Sequence, residues 1–74
     1  MNADGLKHDP LEDHPRLRRV FAKAEREAEL ELPDVPRSLG FCHVFWETKK
    51  RILREKYGIN WRTPVEMNPG VLFD

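Results

Sequence analysis

Ser38-Leu39-Gly40-Phe41-Cys42-His43-Val44-Phe45-Trp46-Glu47-Thr48-Lys49-Lys50-Arg51-Ile52-Leu53-Arg54-Glu55-Lys56-Tyr57-Gly58 is the stretch whose reading decides the fold. Ser38 suits a helix N-cap, since its hydroxyl can accept from an early backbone N–H. Gly58 suits the left-handed residue that ends a helix, with Ile59 folding back onto Leu53. Lys56 and Arg54 fall in the last turn, where the helix dipole favours positive charge. These signals predict a helix over about 38–57.

Its apolar positions form two strips rather than one. Phe41, Phe45 and Ile52 make the first, and Leu39, Cys42, Trp46, Leu53 and Tyr57 the second. Lys49 and Lys56 project between them. A helix with one partner rarely places lysines within its buried arc, so this helix is expected to have two partners. The lysine stems then lie in the seam with their amines in water.

The first expected partner lies upstream. Leu17, Val20, Phe21, Ala24 and Ala28 recur at helical spacing behind Pro15, which fits the first position of a helix. A helix over about 15–32 follows, stopped by Pro33. Its other face carries Arg18, Arg19, Lys23, Glu25, Arg26 and Glu29. The like-charge pair Arg19–Lys23 is expected to be offset by Lys23–Glu27 and Arg26–Glu29. The second expected partner is the C-terminal tail. Thr63-Pro64-Val65-Glu66 spells a capping box with proline at the first helical position, predicting a short helix over about 64–68. Pro69-Gly70 suits a tight turn. Val71, Leu72 and Phe73 are too apolar for an undocked end. Residues 1–14 lack helical periodicity and read as a mobile lead-in, relieved by one turn that Asp9 could cap with Glu12 reaching back.

The fold class expected is therefore all-α: a small antiparallel helical hairpin, a one-turn third helix, and a tail packed on helix 2. Residues 15–74 would form the single domain.

Composition narrows the function. A chain of 74 residues leaves a thin core, since a domain of this size buries only about 60% of its unfolded surface. Charged residues make up 35% and hydrophobic ones 39%, a balance suited to helices with wet faces. So little material hardly walls an active-site cleft, which argues against an enzyme acting alone. Thirteen bases balance thirteen acids, whereas dedicated nucleic-acid binders usually carry a basic excess. The charge is uneven, however. Residues 1–15 hold Lys7 against Asp4, Asp9, Glu12 and Asp13, a net of −3. Residues 38–58 hold Lys49, Lys50, Arg51, Arg54 and Lys56 against Glu47 and Glu55, a net of +3. The single cysteine, Cys42, excludes an internal disulfide. No apolar run approaches a membrane span, and the acidic N-terminus lacks a signal-peptide pattern, so no membrane is expected and the cytoplasm is the expected compartment.

Three functional readings follow. The leading one is a non-catalytic protein-interaction module, either self-associating or serving as a small subunit. It would bind a protein partner or form a homo-oligomer through exposed aromatics among Trp46, Tyr57, Trp61 and Phe73, because aromatics dominate the energetic centres of interfaces. The second is a nucleic-acid-contacting accessory protein using Lys50, Arg51 and Arg54, beside Trp46 and Tyr57. The third is a thiol or metal protein around Cys42, His43 and Glu47. Adjacent helical residues point about 100° apart, which makes a Cys42–His43 pair poor. His43 and Glu47 offer two ligands where structural zinc wants four. No cofactor, metal or catalytic residue is expected from these patterns.

Overall fold

The computed structural model describes residues 6–37 and 40–73. In order along the chain these form a 3-10 turn at Pro10–Asp13, a second at Pro15–Leu17, helix α1 at Arg18–Glu31, helix α2 at Phe41–Tyr57 and the single-turn helix α3 at Pro64–Met67. The fold is all-α, with α1 and α2 packed as an antiparallel hairpin and the tail laid across α2.

Pro15 opens a 3-10 turn that runs into α1, so the helix proper starts later than its apolar period suggests. His14 caps this turn, with Nδ1 accepting from the Arg16 N–H at 3.2 Å. The predicted cap Ser38 lies outside the described residues. α2 begins at Phe41, with Gly40 at the cap and φ +89°, a backbone that glycine adopts without steric cost. At the other end Gly58 has φ +68°, and the Ile59 N–H donates to the Leu53 carbonyl at 2.9 Å. This six-residue return closes the helix and brings Ile59 against the core. The Thr63 capping box forms in both directions, with Thr63 Oγ1 accepting from the Glu66 N–H and Glu66 Oε1 accepting from the Thr63 N–H.

The core consists of Phe21, Ala24 and Ala28 from α1, Ile52 and Leu53 from α2, and Trp61 from the tail. Burial of a tryptophan, isoleucine, leucine and phenylalanine supplies most of the apolar driving force in so small a chain, at roughly 1.5–3 kcal/mol for each large side chain. Trp61 is 1% exposed. It meets Phe21 edge-on at 6.5 Å, and its indole N–H donates to Glu12 Oε2 at 2.6 Å.

Two expectations need correction. Lys49 does not reach water: it is 5% exposed, its Nζ lies 4.4 Å from the centre of the Trp61 ring, and it pairs with Glu25 Oε2 at 2.8 Å. The seam closes over it because Trp61 packs across the hairpin at that level. Residues 6–14 are not a detached lead-in either. Asp9 is buried, with Oδ1 accepting from the Leu11 N–H at 3.0 Å and Oδ2 from the Arg62 N–H at 2.8 Å. Glu12 reaches Trp61 instead of back to Asp9. The Asn68 side chain takes the Lys7 N–H and returns its amide to the Lys7 carbonyl, both at 2.7 Å. These bonds join segments 49–61 residues apart in sequence and tie the N-terminal strap to the tail.

Candidate functional site

The register of the hairpin determines what is left uncovered. Lys56 pairs with Glu27 at 2.9 Å, and Arg51 pairs with Glu31, the last residue of α1. Among the described residues, the ion pairs between α2 and α1 are all made from Lys49 onward, and none by the first two turns of α2. The burial pattern agrees: Lys49, Ile52 and Leu53 are the buried residues of α2, and none lies in Phe41–Thr48. Yet these two turns carry Phe41, Val44, Phe45 and Trp46. Such an apolar half-helix ordinarily requires a covering element.

Its surroundings divide into two aromatic clusters. On one side Phe41 and Phe45 stack with ring centres 6.1 Å apart, and the Arg37 guanidinium lies 4.4 Å above the Phe41 ring. On the other side Trp46 meets Phe73 edge-on at 5.3 Å and His43 at 5.9 Å. His43 Nε2 donates to the Phe73 carbonyl at 2.9 Å, fixing the tail end on the helix. Beside this cluster Leu72 is 96% exposed, and Val71 and Val44 are about two-fifths exposed. Of the three apolar residues that end the tail, Phe73 is thus the one that docks on α2.

No known protein family matches this chain, and neither does any curated protein or solved structure.

The four aromatic candidates read from the sequence fall in different places. Trp46 and Phe73 meet at the half-covered cluster. Tyr57 lies at the far end of α2, where its hydroxyl donates to Glu27 Oε2 at 2.8 Å. Trp61 is in the core and offers no surface, which corrects its place among exposed aromatics. Phe41 and Phe45 belong to the first apolar strip read in the sequence but not to the four interface candidates, and Val44 to neither; the run Phe41-Cys42-His43-Val44-Phe45-Trp46 carries the signal.

Lys50, Arg51 and Arg54 do not form an open basic patch. Lys50 pairs with Glu66 at 2.6 Å, Arg51 with Glu31 and Glu55, and Arg54 lies 3.6 Å from Glu55. The Lys50 ammonium and the Thr63 N–H hold the Glu66 carboxyl below its usual pKa. Lys56 and Tyr57 do the same for Glu27. Cys42, half-buried in α2, and His43 and Glu47 do not converge: His43 is engaged by Phe73. Among the described residues no three His, Cys, Asp or Glu side chains gather to hold a metal.

A shallow open depression of about 680 Å³ is lined by Asp9, Pro10, Leu11, His14, Asn60 and Arg62. Its polar groups serve the fold. Both Asp9 oxygens accept backbone N–H groups, and His14 Nδ1 caps a turn. Among the described residues no helix is long and apolar enough to cross a membrane.

Proposed function

We propose that this chain is a non-catalytic protein-interaction module that associates through the first two turns of α2 and the adjoining tail, and that the occupant of this surface is a second copy. The observation that carries this reading is the absence of any buried residue in Phe41–Thr48 despite its aromatic content. Partly buried aromatics, of which Phe45 and Trp46 also pack against the core, lie beside exposed Val44 and a fully exposed Leu72, a mixture that resembles an interface more than a solvated face.

Charge favours self-association. Among the described residues, Arg37 and Glu47 have no ion-pair partner, and they lie on opposite sides of Phe41 and Val44 along the chain. A two-fold interface sets the same patch against itself in reverse. Arg37 of each copy then faces Glu47 of the other, with the apolar residues between them.

Sedimentation equilibrium of the chain tests this directly. The reading expects a reversible dimer. Arg37→Glu and Glu47→Arg should each weaken it about tenfold, on the scale of a lost charge pair, and the double exchange should restore it. Val44→Glu, on an exposed position that leaves the core intact, should abolish it. A monomer at millimolar concentration, or a dimer indifferent to all four variants, would overturn the assignment. A heterologous partner competing for the same residues would replace the second copy as occupant.

A further inference from the structure

The pairing between the helices leaves one face of α1 uncompensated. α1 carries its acids, Glu25, Glu27, Glu29 and Glu31, in its second half, and its bases, Arg18, Arg19, Lys23 and Arg26, mainly in its first; Arg16 stands just ahead of it. Three of the acids are engaged by α2: Glu25 by Lys49, Glu27 by Lys56 and Glu31 by Arg51. The five bases are all exposed, and among the described residues none forms an ion pair. The expected Lys23–Glu27 and Arg26–Glu29 ion pairs do not form: Glu27 is bonded to Lys56 and Tyr57, with Lys23 a weaker charge neighbour, and Glu29 stays exposed on the same helix. A chain of zero net charge thereby presents a positive face.

The helix itself does not account for this order. A helix dipole favours acids in the first turn and bases in the last, and α1 has neither. Arg19, Lys23 and Arg26 follow at i, i+4 and i+7, which places them on one stripe rising about 10 Å along the axis.

We infer that this face of α1 contacts the phosphodiester backbone of nucleic acid independently of base sequence. Four of the five cations are arginines, whose planar guanidinium groups bind phosphate oxygens in a bidentate manner. Nucleic-acid affinity can arise from neutralising successive phosphates alone. An acidic protein would need an apolar anchor at the centre of the contact; among these cations α1 offers only Ala22, and the exposed Leu30 lies at the far end of the stripe, one turn beyond Arg26. A membrane surface would need the apolar stripe of α1, and that stripe, Phe21, Ala24 and Ala28, is buried against α2. The face is separate from the aromatic half of α2, so this inference does not rest on self-association.

The test is fluorescence anisotropy of the full chain with a labelled short DNA duplex of arbitrary sequence, and with a single-stranded RNA, across a salt series. Five phosphate contacts give log K against log salt a slope of about −4.5 for the duplex and about −3.5 for the single strand. Lys23→Gln should reduce the duplex slope by about 1, and Arg19→Gln with Arg26→Gln by about 2. Lys50→Gln with Arg54→Gln should leave it unchanged. Circular dichroism checks that each variant keeps its helicity; Lys23→Gln, on an exposed position, secures the test if the double variant does not. Absence of binding at low salt, a slope unaffected by the α1 variants, or binding of a polyglutamate peptide in place of the duplex would overturn the inference.

Discussion

Truncating Trp61 to alanine removes the largest buried side chain of the domain, one that touches all three parts of the fold. Its ring meets Phe21 of α1, covers the Lys49 ammonium of α2, and donates to Glu12 of the N-terminal strap. Buried tryptophan-to-alanine changes cost about 3–5 kcal/mol, the transfer loss being joined by an unfilled cavity. A domain of 74 residues has roughly 4–11 kcal/mol of stability in total. Trp61→Ala should therefore leave a protein partly unfolded at room temperature. Trp61→Phe gives a finer reading. It keeps a ring against Phe21 and Lys49 but deletes the bond to Glu12. A hydrogen bond to a charged acceptor contributes about 1.5–3 kcal/mol, and the half-exposed Glu12 places this one near the lower end. With the smaller ring included, about 2 kcal/mol is expected, or a fall in Tm of roughly 8–16 °C. Urea unfolding followed by far-ultraviolet circular dichroism measures both variants. A Trp61→Ala protein with an unchanged midpoint would refute the placement of Trp61 at the centre of the core.

Other perturbations separate the remaining elements. Glu25→Ala leaves the buried Lys49 ammonium without its carboxylate and should destabilise by about 1–3 kcal/mol, whereas Lys49→Met fills the same space without charge and should be nearly neutral or stabilising; denaturant midpoints decide the order. Burial alone would raise the Asp9 pKa, but the Leu11 and Arg62 N–H groups and the Arg62 charge outweigh it and hold the carboxyl below its usual value. Stability from a depressed carboxyl is present above its unfolded pKa and lost as pH falls through the folded one. Asp9→Asn should therefore lower the urea midpoint at neutral pH, with the gap to the parent narrowing as pH falls below the ordinary aspartate pKa and through the lower one that Asp9 has in the fold. Gly58→Ala should cost about 1 kcal/mol by backbone strain alone, since an added Cβ meets nothing within 4 Å; an unchanged thermal midpoint would deny that Gly58 must be left-handed.

The helical period, the Gly58 stop and the Thr63 capping box are local signals, and local sequence sufficed to read them. Asp9 shows where such reading runs out. Its role as a cap is visible in Asp9-Pro10-Leu11, but its second oxygen is committed to Arg62, 53 residues away, and nothing near Asp9 announces that partner. The same holds for Glu12 with Trp61 and for Lys7 with Asn68. Lys49 reads as a snorkelling lysine until Trp61 is known to lie over it. The candidate surface was legible in its chemistry, as aromatics on α2 and the tail, but not in its membership. Which aromatics are buried depends on how Trp61 packs across α1 and α2, and that is set by contacts between distant segments rather than by either helix alone.

The central claim is that the first two turns of α2 are covered by a second copy. Amide chemical shifts of the labelled chain, followed from micromolar to millimolar concentration, test it most directly. The account predicts concentration-dependent shifts confined to residues 41–48, Arg37 and the tail at 71–73, all following one dimerisation isotherm. Spectra that do not change over that range, or changes centred on the outer face of α1 instead, would contradict it.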